Sequence, residues 1–284
     1  MTGFAFTPPI RRVNAGKGHR YIDVHGLRVP GVTTIISDGV PKPALIEWAG
    51  NATAEYAVDH WDDLTGKLPS VRLKELRGAR YADRDTAANR GTQVHAIAER
   101  LIHGDEVAVP DGLEGHVAAY VRFLDEFDVE PVLVERVILS HRHGYAGTFD
   151  LIGDLIDPDD PEPDLTSRRR IRWLLDIKTS RSGVFGEAAL QLAAYRYADV
   201  WMDGDEEIPM PDVERTGVVH VTAKGYELVP VVADEPQFTD FRYAQQISRF
   251  LADARSLVGA PIVSPSTSTY RLVLADDEVS MEPA

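Results

Sequence analysis

Three apolar segments follow one another closely, and that spacing limits the topology more than any other feature of the chain. Residues 131–140, 145–156 and 171–178 are rich in Val, Ile, Leu and aromatic side chains and read as strands. Only the turn His141-Arg142-His143-Gly144 separates the first from the second. An acidic, proline-rich stretch, Asp157 to Asp164, leads to the third and cannot enter a sheet interior. Neither connection suits the helical crossover that parallel neighbours require, so an antiparallel meander is expected.

Helices are predicted around it. One runs from about Thr86 to His103 and is stopped by Gly104. A second covers about Gly112 to Asp128, with Val117, Val121 and Leu124 on one face. After the third strand come an alanine-rich helix over Gly186 to Trp201 and a hairpin of Thr216–Thr222 with Tyr226–Val232. A last helix runs from Pro236 to about Ala254. Upstream, Tyr21 to Val29 reads as a hairpin turning near His25-Gly26, followed by the short apolar segment Val32 to Ile36. Pro43 opens a helical stretch to about His60, with Leu45, Trp48, Ala49, Ala52 and Tyr56 at helical spacing. Leu64 to Asp83 is charged and helical in part. The expected class is mixed α/β: a central mixed sheet flanked by helices, carrying an N-terminal hairpin and helical appendage. The expected division is 1–85 for the appendage, 86–258 for the core and 259–284 for a loosely held acidic tail.

With 284 residues, 44% of them hydrophobic, the chain can build a sizeable core. It has no cysteine, which removes disulfides, thiolate-bound iron–sulfur clusters and cysteine nucleophiles. The first residues lack a basic region followed by an apolar one, and no apolar run reaches the length of a membrane span, so a cytoplasmic setting without membrane contact is expected. A net charge of −15 speaks against a protein that coats nucleic acid, but not against an enzyme whose metal ions supply the local positive charge. The cations are clustered: Arg72, Lys74, Arg77, Arg80, Arg84 and Arg90 in one segment, Arg168, Arg169, Arg170 and Arg172 in another. Each cluster reads equally as a solvated face or as a track for DNA.

The third strand ends in Asp176-Ile177-Lys178. Alternation puts Asp176 and Lys178 on one face and Leu175 and Ile177 on the other. Asp150 lies on the preceding strand, after Gly147-Thr148-Phe149. Regular alternation would also give Asp150 and Asp154 a common face, with Asp154 facing solvent or an arginine. Two carboxylates and one ammonium at one point are what metal-assisted phosphodiester cleavage requires: acids for Mg²⁺ or Mn²⁺, and a cation for the developing charge. The alternative for each acid is an ordinary ion pair. His95, with Glu99 one turn on, is a candidate ligand or else a histidine bonded to Glu99. Glu135, mid-strand among apolar residues, needs a partner, either at the metal or an arginine. Glu187, Gln191 and Tyr195 form one polar stripe on the following helix, and Gln191 and Tyr195 suit contacts at a site rim. Thr148 and Thr179 flank the two motifs as candidate contacts to substrate or ligands. Gly147 lets the backbone pass close to a phosphate or a neighbouring strand. His141 and His143 read as turn residues. No P-loop, dinucleotide-binding glycine motif, GxSxG elbow or HExxH helix occurs.

The order His95, Gly147-Thr148-Phe149-Asp150, Asp176-Ile177-Lys178, Gln191-Leu192-Ala193-Ala194-Tyr195 resembles the RecB-like exonuclease branch of the PD-(D/E)XK nucleases, phage and CRISPR-associated members included. The likeness spans about residues 90 to 200, and more weakly Tyr21 to Trp48. It implies a restriction-endonuclease-like core and a Mg²⁺- or Mn²⁺-dependent deoxyribonuclease. Asp150, Asp176, His95 and the Ile177 carbonyl would be ligands, and Lys178 the catalytic lysine. DNA ends or single strands would be substrate, in phage-type recombination, replication or repair, with a homo-oligomer or a recombination protein as possible partners. A structure-specific endonuclease and a catalytically silent DNA-binding protein are the alternatives. Several relatives carry four cluster-binding cysteines; this chain has none.

Overall fold

The computed structural model describes residues 6–16, 18–180 and 183–262, with the backbone alone for 82–88. In chain order the elements are β1 (Arg11–Ala15), β2 (Gly18–Ile22), β3 (Arg28–Val29), α1 (Val32–Gly39), α2 (Pro43–Asp59), α3 (Trp61–Thr65), α4 (Pro69–Ile102) and α5 (Glu114–Glu126). Then follow β4 (Glu130–Ser140), β5 (Tyr145–Ile156), β6 (Arg170–Lys178), α6 (Glu187–Arg196), β7 (Val200–Asp203), β8 (Glu206–Pro209), β9 (Arg215–Thr222), β10 (Gly225–Pro230) and α7 (Glu235–Asp253). The acidic tail anticipated over 259–284 lies outside the described residues from 263 onward.

The protein is mixed α/β. Its main sheet has seven strands in the order β10-β9-β6-β5-β4-β7-β8. The short connections make β4, β5 and β6 an antiparallel meander. β9 then joins β6 in parallel, reached through α6, which supplies the crossover a parallel pair needs. Helices cover both faces. On one, Val32 and Ile35 of α1, Leu192 of α6 and Phe241 of α7 pack on Ile138, Phe149, Ile152 and Leu174. On the other, Ala98 of α4 and Tyr120 and Phe123 of α5 pack on Leu151, Leu155, Trp173 and Leu175. Burial on both faces is why β5 and β6 read as near-continuous apolar runs.

A second sheet, β1-β2-β3, is antiparallel. The Ala146 N–H donates to the Pro30 carbonyl at 2.9 Å, and Ile10, Tyr21 and Val29 share a core with Leu139 and Ala146. The N-terminal strands therefore form a wall of the core. The boundary expected between residues 85 and 86 falls inside the continuous helix α4.

Other differences have local causes. The apolar segment Val32–Ile36 is helical, because α1 must cover the sheet beside α7. The helix expected to reach Trp201 stops at Arg196. Val200, Trp201 and Met202 are good strand formers, and they fill the open edge of β4 in the pairing Ile138↔Trp201. Asp199 fixes that switch by accepting from the Ser140 hydroxyl at 3.2 Å and the Arg142 N–H at 2.9 Å. α2 has the expected spacing but buries none of its residues, and Leu45 and Trp48 are exposed. Among the described residues no helix is long and apolar enough to cross a membrane.

Where α1 crosses α7, a Cβ on Gly39 would stand 2.4 Å from the Ala244 carbonyl oxygen. Gly39→Val should therefore cost about 3 kcal/mol through overpacking. The measurement is the denaturant midpoint at constant slope. A parental midpoint would show that these helices do not touch there.

Candidate active site

The strict period of two breaks in β4 and β5 at the same level. Leu133 and Ile138 pack into one core, as do Phe149 and Ile152, while Val134 and Leu151 pack into the other. Residues an odd number apart reach one face only if the alternation slips between them. The slip in β4 coincides with Glu135, whose φ of 50° lies in the left-handed region. The pairs Val134↔Leu151 and Arg136↔Phe149 put Glu135 opposite Asp150. Asp150 therefore does not share a face with Asp154. Asp154 instead takes both arms of the Arg172 guanidinium, at 2.8 Å each.

Beyond Leu151↔Leu175 the ladder between β5 and β6 ends. Asp150 Oδ2 takes over, accepting the Ile177 N–H at 2.6 Å. Where the strands part, a cavity of about 400 Å³ opens. His95 of α4, Glu135 of β4, Asp150 of β5, Asp176 and Lys178 of β6 and Gln191 of α6 all line it.

His95 Nε2 lies 2.9 Å from the Ile177 carbonyl oxygen, which can only accept, so Nε2 carries a hydrogen. Nδ1 then faces Asp150 Oδ1 at 3.4 Å and Glu135 Oε1 at 3.7 Å. One ligand atom from each of His95, Glu135 and Asp150 falls within 4.8 Å of the others. The Ile177 carbonyl, expected as a ligand, also orients the imidazole by accepting from it, with a second lone pair left over. Glu135, whose role the sequence left open, stands beside His95 and Asp150, with Arg12 at 3.5 Å behind it. Glu99 is exposed on the cavity wall, and His95 turns to Asp150 and Glu135 rather than to it.

Asp176 is 3% exposed and stands outside that triad. Its Oδ1 accepts from Gln191 Nε2 at 2.7 Å. The Lys178 ammonium forms an ion pair with Oδ2 at 2.9 Å. Lys178 also donates to Gln191 Oε1 at 3.3 Å, so a single amide holds both the acid and the amine. Gln191 Nε2 lies 3.1 Å from the Tyr195 hydroxyl. Tyr195 is buried, which corrects its expected place at the rim. Its ring packs on Gly147, where a Cβ would lie 2.7 Å from Cε1. The glycine thus makes room for a ring rather than for a phosphate or a strand. Thr148 bonds the Tyr21 hydroxyl at 2.9 Å, while Thr179 does not line the cavity.

Burial raises the Asp176 carboxyl; Lys178 opposes this and the Asp150 charge adds to it. Burial acts on Asp150 too, but the His95 cation and the Ile177 N–H outweigh it and hold this carboxyl low. Burial would lower His95, yet Asp150 and Glu135 raise it. Lys178, also pushed down by burial, is raised overall by Asp176 and Asp150. One high and one low carboxyl side by side is the pattern of groups with separate tasks.

Arg12, His19 and Tyr21 also line the cavity, brought there by the N-terminal sheet. Sequence reasoning missed them because β1 and β2 have no clear alternation and nothing local ties them to β5. Three of the four arginines of the cluster at 168–172 meet acids: Arg169 meets Glu214, Arg170 meets Asp128 and Glu130, and Arg172 meets Asp154, while Arg168 donates to the Glu162 carbonyl. The cluster sits at the start of β6, about 20 Å from the cavity at strand rise. His141 pairs with Glu207 in its turn. No protein-family model matches this chain, and no curated protein matches it at a significant level.

Proposed function

We propose that the protein is a metal-dependent deoxyribonuclease of the RecB-like PD-(D/E)XK type, acting as an exonuclease on DNA ends or single strands. The observation that carries this reading is the cavity where strands β5 and β6 part. There His95, Glu135 and Asp150 stand within ligand distance of one another, beside Asp176, Lys178 and Gln191. The donor set fits a divalent cation. Two carboxylates suit Mg²⁺ or Mn²⁺, and the imidazole tilts the choice to Mn²⁺. The cation would neutralise charge on the phosphodiester and make bound water more acidic.

The remaining tasks fall to side chains of the chain itself. His95 is fixed by the Ile177 carbonyl, so that Nδ1 is presented to the cavity. Gln191 holds Asp176 and Lys178 in one arrangement. The Lys178 ammonium orients the attacking water or stabilises charge developing on the phosphate. Asp176 Oδ2 faces the Lys178 ammonium and holds it at the cavity. We place this activity in the cytoplasm, of a host cell if the protein is phage-encoded, in recombination, replication or repair.

The test is degradation of end-labelled linear DNA with Mn²⁺ or Mg²⁺, beside a circular single strand. An exonuclease shortens the linear substrate and spares the circle. Cutting of the circle would favour the endonuclease alternative, and intact DNA that is nevertheless bound would favour a silent binding protein.

A further inference from the structure

α4 carries His95 near its C-terminal end, and the same helix reaches well beyond the sheet. Its cavity-facing positions are Gly91, Thr92, His95, Ala96 and Glu99. Arg77 precedes His95 by 18 residues, five whole turns at about 3.6 residues per turn, and so lies in line with it. Lys74 and Tyr81 fall within about 60° on one side of that line, and Arg80 within about 60° on the other. Arg72 and Arg90 fall about 140° away. Lys74, Arg77, Arg80 and Tyr81 are exposed. The Arg80 guanidinium sits 4.7 Å from the Tyr81 ring centre, with Nη2 donating to the hydroxyl at 2.6 Å. Among the described residues no carboxylate pairs with Lys74, Arg77 or Arg80; Glu75 on this helix is taken by Lys67.

We infer that this face of α4 is a track for one strand of nucleic acid, leading to the cavity at His95. The inference rests on the nuclease reading for its destination, but the binding it asserts does not need cleavage. Three observations favour a single strand. The cationic stripe is one helix wide, so it follows one phosphate backbone and not the two of a duplex. It carries a stacked Arg–Tyr pair, the kind of surface on which unpaired bases stack. Of the second basic cluster, which could have met another backbone, three of four arginines are held by acids. Lys74 to Tyr81 cover about 10 Å of the axis, and His95 lies about 21 Å further along the same helix, a reach of several nucleotides. In a chain of net charge −15, a polyanion has few other places to lie.

The experiment is fluorescence anisotropy of labelled oligothymidylate of about 20 nucleotides, in EDTA, with the full chain. The triple variant Lys74→Glu, Arg77→Glu, Arg80→Glu should lose at least tenfold in affinity, and the slope of log K against log salt should shrink by roughly two. Arg72→Glu, off the stripe, should bind as the parent does. The exposed positions leave folding intact, which circular dichroism checks. Parental binding by the triple variant, or an equal loss from Arg72→Glu, would overturn the track. Tighter binding of a blunt duplex than of the single strand would overturn its single-strand character. Cleavage with Mn²⁺ is read separately. Stripe-dependent binding by a parent that never cuts DNA keeps the track and removes the nuclease reading. Cutting without stripe dependence does the reverse.

Discussion

Asp150→Asn should abolish DNA cleavage, with a loss of at least ~10³-fold in the single-turnover rate. The substitution keeps the shape and one acceptor oxygen, so the Ile177 N–H at 2.6 Å keeps its partner and the strands stay as they are. What disappears is the charge facing His95 Nδ1 at 3.4 Å, and with it one of the three groups in the cavity that could hold a metal ion. Mn²⁺ affinity should fall with the rate, read by calorimetry on the same preparation. Lys178→Ala should behave differently. Lys178 touches Asp176 and Gln191 but is not one of the grouped ligands, so it should lose ~10²-fold in rate with Mn²⁺ affinity retained. Parental cleavage by Asp150→Asn would remove this acid from the chemistry. A Lys178→Ala protein that loses metal binding would show that the two groups do not have separate tasks.

The parts of this arrangement that could be read from the sequence are those fixed by local pattern. The meander β4-β5-β6 follows from two connections unsuited to helical crossovers, and the shared placement of Asp176 and Lys178 follows from β-alternation. The helix bearing Gln191 follows from its alanine-rich composition. What escaped the sequence depends on tertiary competition. α6 yields to strand β7 because the edge of β4 is open, and that edge cannot be seen from residues 186 to 201. Tyr195 looks like a rim residue until Gly147, nearly fifty positions earlier, is seen to receive its ring. Arg12, His19 and Tyr21 reach the cavity only because the small sheet docks on Ala146. The bond from His95 of α4 to the Ile177 carbonyl joins residues 82 positions apart, which no local pattern shows. The largest gap is Glu135, since regular alternation does not place it opposite Asp150 on a broken strand.

That break gives the second large prediction. A glutamate at φ 50° inside a strand costs of order 1–3 kcal/mol, and such strain persists where the surrounding structure holds it in place. Here it sets the carboxylate beside His95 and opposite Asp150. Glu135→Ala and Glu135→Gly both remove the ligand, and both should lose cleavage by ~10²-fold or more, with Mn²⁺ affinity down about 10–100-fold. Their stabilities should diverge. Alanine keeps a Cβ in the left-handed region, whereas glycine adopts it without penalty. The loss of the Arg12 and His95 contacts is common to both variants and cancels in the comparison. Glu135→Gly should therefore be more stable than Glu135→Ala by about 1 kcal/mol, even though glycine gains more freedom in the unfolded chain. Denaturant unfolding in EDTA measures the difference with no contribution from bound metal. An alanine variant as stable as the glycine one would mean that position 135 relaxes to an ordinary strand conformation once its carboxylate is gone. The strain would then belong to the charge cluster and not to the backbone that delivers it.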